Sequence, residues 1–272
     1  MSSVTKQAND RMLAYDNSFN KVKLGMLTTN EYNLLFAIMS IVSDVKPDEN
    51  GEIQATISMK QVREVLGVDR IHQNRVIKSL DKLLSIKVHF YVDGDFISAN
   101  MFSHYKIANN RKEFVIQLAP HLTKMLSIKS KINDGLDVKY SLIDLYDLST
   151  MRSVRSKELY KRLRQYRNTG KFMINTSEFL DYLFIDENKY TDYKIIRDYL
   201  MPAVEDNKKF FANLQVNIEG NATKLPNVLV FTFDYTINAL EESDDLYDYS
   251  DESEEFLSLL EYVRANSGIL ED

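Results

Sequence analysis

One stretch of this sequence occurs twice in altered form, and that limits the fold more than any other feature. Adding 117 to the numbers of Ile57, Ser58, Val62, Leu66 and Val68 gives Ile174, Asn175, Phe179, Leu183 and Ile185, so a strand end, a capping residue and an apolar helix face recur in order. Three further residues in the following linker carry Val76, Leu80 and Leu84 onto Ile196, Leu200 and Val204. In a chain of 272 residues, a repeat of about 120 predicts two related domains.

The first copy has readable punctuation. Thr28 and Glu31 form a capping box ahead of Tyr32, Leu35, Phe36, Met39 and Val42, which recur at helical spacing in a helix ending near Pro47. After the turn DENG comes a short strand, 53–57, and Ser58 with Gln61 caps the next helix, which stops at Gly67. A third helix over 70–84 turns Val76, Leu80, Leu83 and Leu84 inward and Arg75, Lys78 and Lys82 outward. Asp93 and Gly94 mark a hairpin between 87–91 and 96–100, and a further strand pair, 101–107 with 113–118, turns at Asn109 and Asn110.

The second copy carries the stronger chemical signal. Over 152–171 the bases are Arg152, Arg155, Lys157, Lys161, Arg162, Arg164, Arg167 and Lys171, against one acid, Glu158. So unbalanced a run suits phosphate. Asn175 and Glu178 predict a capped helix to about Leu183, and a longer linker, FIDENKY, leads to a helix beginning near Thr191. At about 100° per residue Tyr193, Ile196, Tyr199, Leu200, Ala203 and Val204 share its inner face. Lys194, Arg197, Asp198 and Met201 face outward, and Tyr190 and Thr191 stand at the exposed N-terminal end. Pro202 lies within this helix, where it costs the bond to the Asp198 carbonyl and bends the axis. Strand-like runs at 210–218 and 228–235, joined through Gly220 and Asn221, make a wing.

Helix, capped helix and amphipathic reading helix are the layout of a helix-turn-helix. The expected fold is therefore α+β: two tandem winged helix-turn-helix domains related by an internal repeat, mostly helical with β-hairpin wings. The partition is an N-terminal arm or short helix at 1–23 carrying Lys21 and Lys23, domain 1 at 24–126, a linker at 127–139, domain 2 at 140–240 as the main sequence reader, and an acidic tail at 241–272. Two such units can set reading helices in successive major grooves, about one turn of duplex apart.

The net charge of −6 opposes nucleic-acid binding until it is divided along the chain. Residues 241–272 hold 12 acids and one base, which leaves 33 bases and 28 acids before them, a net of +5. The segment ESDDLYDYSDESEE is expected to be a self-repelling disordered linker. Beyond it Phe256, Leu257, Leu259, Leu260 and Val263 line one side of a short helix that either packs on the body or docks a host replication protein. The tail could also compete with DNA for the basic face.

Other classes fit less well. The absence of cysteine excludes disulfides and thiolate metal sites, and His72, His89, His104 and His121 have no metal-ligand spacing. A nicking tyrosine among Tyr160, Tyr166 and Tyr193 would need a close metal-binding histidine pair, which the sequence lacks. Gly170–Lys171 is no phosphate loop, since Gln165 stands where the first glycine belongs. The expectation is a protein with no catalytic activity, no cofactor and no metal. With no signal peptide or apolar run of membrane-spanning length, the cytoplasm is the simplest location.

The residues also resemble a known family, the iteron-binding initiator replication proteins of theta-replicating plasmids. The likeness covers roughly residues 20–236 and is clearest in LTTNEYNLLFAIMS, in YSLIDLYDL followed by SVRSKELYKRLRQYRNTGKF, and in YTDYKIIRDYLMPAVEDN. The resemblance implies binding to repeated sites in double-stranded plasmid origin DNA, help in opening the origin, and recruitment of the host replication initiator and the replicative helicase or its loader. It also implies a monomer–dimer balance, the dimer repressing the protein's own gene. Carried over by position, it gives Lys194 and Arg197 as leading candidates for base edges, with Asp198, Tyr190 and Thr191 beside them. Arg152, Arg155, Lys157, Lys161, Arg164, Arg167, Lys171 and Lys189, with Arg75, Lys78 and Lys82 of the first copy, are the candidates for phosphate. Where the family often has a second base after Arg197, this sequence has Asp198, which either accepts a cytosine amino group or lowers affinity.

Plainer readings stand beside these. A lone Arg197 is a solvated arginine pairing with Glu178 or Asp186, and Arg75, Lys78 and Lys82 are equally an exposed helix face. A transcriptional repressor without initiator activity would bind an operator and not melt it. A winged-helix protein-interaction module would show no salt-sensitive DNA binding.

Overall fold

The computed structural model describes residues 12–24, 26–92, 95–128, 131, 138–183, 185–186, 191–219 and 228–234. The expectations for Lys189, Tyr190, Asp93, Gly94, Gly220, Asn221, most of the 127–139 linker and the 241–272 tail lie outside them. The chain divides into two compact units, 1–165 and 166–272.

Unit 1 begins with strand β1 (Met12–Asp16) and a 3-10 turn (Asn17–Lys21), then α1 (Thr29–Val42), β2 (Ile53–Ser58), α2 (Met59–Leu66) and α3 (Gln73–Leu84). Hairpin strands β3 (Lys87–Val92) and β4 (Asp95–Asn100) follow, then β5 (Phe102–Ile107), β6 (Glu113–Leu118) and α4 (Pro120–Leu126). The unit closes with β7 (Tyr140–Asp144), α5 (Leu145–Thr150) and α6 (Val154–Gln165). Both expected capping boxes form. The Thr28 amide donates to Glu31 at 2.7 Å, and the Ser58 amide donates to Gln61 at 2.8 Å. The apolar face of α1 is buried, with Tyr32 stacked on Phe36 at 4.8 Å.

Unit 2 contains β8 (Lys171–Asn175), α7 (Thr176–Tyr182), α8 (Asp192–Ile195), a π turn (Ile196–Leu200), α9 (Met201–Asn207), β9 (Ala212–Glu219) and β10 (Val228–Asp234). Its sheet order is β8-β10-β9, and in unit 1 the corresponding order is β2-β6-β5. In both, the last strand of the wing enters the middle of the sheet, antiparallel to its neighbours. The repeat read from spacing is thus also a repeat of topology. The extra hairpin β3-β4 has no counterpart among the described residues of unit 2.

The structure corrects the repeat in detail. Ile57, Val62 and Leu66 are buried, as are Ile174, Phe179 and Leu183, but Val68 is 38% exposed while Ile185 is buried. Ile195, and not Ile196, takes the place of Val76: Val76 and Leu80 are four apart, whereas Ile195 and Leu200 are five apart, and both pairs are buried. The added residue sits in the π turn, where the Met201 amide bonds back to the Ile196 carbonyl. Pro202 has no amide to offer the Asp198 carbonyl, and its ring would collide with that carbonyl in a regular helix. The proline predicted to bend the axis is met by a widened turn. One of the three residues assigned to the linker therefore belongs inside the helix.

Three further expectations change. Residues 12–16, expected in an arm or short helix, form a strand antiparallel to β7, pairing Met12 with Asp144 and Asp16 with Tyr140. The alternating burial of Leu13 and Tyr15 drives this. Because β7, α5 and α6 belong to unit 1, the chain divides after Gln165 and not at 127–139. Asn175 makes no side-chain cap, and the Glu178 carboxylate expected to reach back to it accepts the Tyr182 hydroxyl at 3.1 Å. Gly170, at φ +61°, enters β8 so close to β10 that a Cβ would lie 2.6 Å from the Phe233 carbonyl oxygen.

Candidate nucleic-acid interface

The composite helix formed by α8, the π turn and α9 has two sides. Ile195, Leu200, Ala203 and Val204 are buried, while Thr191, Tyr193, Lys194 and Arg197 are exposed. Thr191 caps the helix by accepting the Lys194 amide at 3.4 Å. Tyr193, expected on the inner face, is 68% exposed because the π turn shifts the phase of everything before it. Its ring lies 5.3 Å from the Arg197 guanidinium carbon. Arg197 is also paired with Asp198, Nε to Oδ1 at 2.6 Å and Nη2 to Oδ2 at 2.9 Å. That pairing favours both charges, raising the Arg197 pKa and lowering that of Asp198. Arg197 thus has a carboxylate partner, but it is the next residue and not Glu178 or Asp186.

In unit 1 the matching helix is α3. Val76, Ser79, Leu80 and Leu83 are buried, Arg75 and Lys78 are exposed and Lys82 is half-buried. Gln73 and Asn74, which the charge-led sequence reading passed over, are also exposed in the first turn. Side-chain amides there suit the paired donor and acceptor of adenine. Their position directly after the α2 C-cap, Gly67 at φ +64°, and its short connection was the available signal. Arg111 and Lys112 are exposed at the β5–β6 turn, where cationic wing residues can meet phosphate.

The basic run of 152–171 is mostly interior. Arg152 is exposed and Arg155 and Lys171 are half-buried, but Lys157 and Lys161 are fully buried, and Arg162, Arg164 and Arg167 nearly so. The expectation that Lys157, Lys161, Arg164 and Arg167 contact phosphate is corrected on this ground. The Lys157 ammonium donates to the Leu148 carbonyl, and Arg164 Nε to the Leu142 carbonyl at 2.8 Å. Glu158 is the centre of the arrangement. It pairs with Lys161 at 3.4 Å and with Arg162, and accepts the Tyr32 hydroxyl at 2.9 Å. Arg162 Nη2 reaches the Asn20 carbonyl at 3.0 Å, and Asn20 Nδ2 donates to Ser141 Oγ at 3.0 Å and Gln165 Oε1 at 2.7 Å. The lone acid with bases at i+3 and i+4 was the signal for a structural ion pair.

This interior has a pH signature. Burial pushes the Lys161 ammonium down to about 8, Glu158 opposing and Arg162 adding to the shift. An unfolded lysine titrates near ~10.4. Between these values the unfolded state binds more protons, so this group makes stability rise with pH. Above about 10 the buried Tyr15, Tyr32 and Tyr160, whose pKa values burial raises, act in the opposite sense, because the unfolded tyrosines lose their protons first. Urea unfolding between pH ~8 and ~10 is expected to show the rise, and Lys161→Met is expected to abolish it.

Among the described residues no group of three or more His, Asp or Glu could hold a metal ion, and no helix is long and apolar enough to cross a membrane. Residues 12–164, nearly all of unit 1, match the family model described as Initiator Replication protein, WH1. The chain belongs to the initiator replication protein family. A relative of this initiator is the "Probable replication protein rep" of Bifidobacterium longum (strain NCC 2705), 22% identical over 207 residues. That match covers 73% of this chain and 65% of the relative, so the initiator spans less than two thirds of the relative's length. Among solved structures it is similar to the Pi initiator protein in complex with iteron DNA, with a TM-score of 0.65 and 14% identity, over 84% of this chain and 99% of that one. At that identity the likeness is one of fold, and the fold is the tandem winged helix that the sequence predicts.

Proposed function

We propose that this initiator binds repeated origin DNA sites of a plasmid with its two winged helices, helps open the duplex and recruits the host replication initiator and replicative helicase or its loader. As a dimer it would repress its own gene. The observation that carries this reading is the pair of equivalent helices, each buried on one side and each presenting polar and cationic residues on the other. In unit 1 these are Gln73, Asn74, Arg75 and Lys78, and in unit 2 Tyr193, Lys194 and Arg197. Helices of this kind read base edges from their N-terminal turns, while surrounding cations set register on phosphate. Arg152, Arg155, Lys171 and Lys82 remain candidates for phosphate contact. In this reading the protein has no catalytic step of its own.

Selection from a random duplex pool tests the proposal. The expected product is one extended motif with two conserved blocks, bound with an affinity that falls steeply and log-linearly with salt. Failure to enrich any sequence, or salt-independent binding, would overturn it in favour of a protein-interaction module. A repressor would select a motif equally well. A duplex-opening assay on DNA carrying repeats of that motif separates the two, the initiator exposing single strands and the repressor none.

A further inference from the structure

We infer that Asp198 is a positioning residue that aims Arg197 at a guanine. This rests on the DNA-binding reading above and concerns how the unit 2 helix discriminates bases. A guanidinium carries five N–H donors. Asp198 engages its side edge through Nε and Nη2, at 2.6 and 2.9 Å. The end edge, with one proton each of Nη1 and Nη2, points away from Asp198 and has the geometry for two parallel bonds. Guanine is the base whose major-groove edge offers two adjacent acceptors, N7 and O6, to such a fork.

The setting favours positioning over chance pairing. Neighbouring residues do not face each other on a regular α-helix. Here both lie in the π turn of Ile196–Leu200, whose widened backbone accompanies Pro202. The Tyr193 ring, 5.3 Å from the guanidinium carbon, flanks the same group. An arginine held by a carboxylate on one edge and an aromatic ring beside it gives up less rotamer entropy on meeting a base. Both side chains are open to solvent, Arg197 by 58% and Asp198 by 33%, so the clamp stabilises the fold little and its cost in net positive charge calls for a return in specificity.

The alternatives give different patterns in one experiment. Random-pool selection is run on the full chain with wild type, Arg197→Ala, Asp198→Ala and Asp198→Asn, each checked for folding by circular dichroism. The expected result is that wild type selects a guanine, that Arg197→Ala loses it, and that Asp198→Ala blurs the same position about 5- to 10-fold, with Asp198→Asn between. Non-specific affinity rises slightly in both Asp198 variants. If Asp198 contacts a cytosine amino group itself, its variants blur a different position from Arg197→Ala, which overturns the inference. If it merely neutralises Arg197, they bind every sequence more tightly with the guanine preference unchanged or sharper, which also overturns it. A wild type that selects no sequence removes the DNA-binding reading and this inference together, an outcome distinct from either.

Discussion

Glu158→Gln is expected to cost unit 1 about 3–5 kcal/mol, because it leaves Lys161 and Arg162 as buried cations without their common counter-charge. For a unit of this size that corresponds to a fall of about 10 °C in Tm. The Tyr32 hydroxyl, which donates to Glu158 Oε1, loses a charged acceptor in the same change. Thermal unfolding followed by circular dichroism measures it. Adding Lys161→Met should return part of the loss, since one uncompensated charge is then replaced by an apolar side chain of similar length. If Glu158→Gln were nearly neutral, the buried pairing would not be organising unit 1.

The second large effect falls on DNA. The Lys194→Ala/Arg197→Ala double variant is expected to lose on the order of 100-fold in affinity for the wild-type motif, from two contacts of about 1.4 kcal/mol each. Both side chains are exposed on the outer side of the unit 2 helix, so the fold should survive. Fluorescence anisotropy on matched and scrambled duplexes, repeated over a salt series, separates two kinds of contact. Base readout predicts a loss confined to the motif. Phosphate contact predicts an equal loss on every duplex and a salt slope shallower by about 2.

Much of the fold was legible because its signals are local. The Thr28–Glu31 and Ser58–Gln61 boxes are chemistry within four residues, and both helices start where those residues place them. The repeat was legible through apolar spacing, down to the equivalence of Leu80 and Leu200. What failed depends on non-local or irregular geometry. A wheel at constant period cannot register the extra residue of a π turn, so Tyr193 and Ile196 were turned inward and Ile195 was missed. Charge alone cannot distinguish a phosphate-binding surface from a buried ion-pair network, so Lys157, Lys161, Arg164 and Arg167 were read as surface. Lys194 and Arg197 were read correctly as outward-facing because they remain polar whichever way the phase slips, while Gln73 and Asn74 escaped attention because they carry no charge.

The pairing of Met12–Asp16 with Tyr140–Asp144 has a consequence for how the chain is made. β1 cannot complete its sheet until its partner, more than a hundred residues later in the chain, has also left the ribosome. At a synthesis rate of about 5–20 residues per second that is a wait of roughly 6–25 s. Through that interval Leu13, Tyr15 and Phe19, all fully buried in the finished unit, have no final site to occupy. The nascent chain is therefore open to chaperones and proteases for most of the time it takes to synthesise unit 1. A slow codon tract far enough beyond residue 165 for that residue to have cleared the ribosome would favour correct closure, and a fragment ending at 126 is not expected to fold.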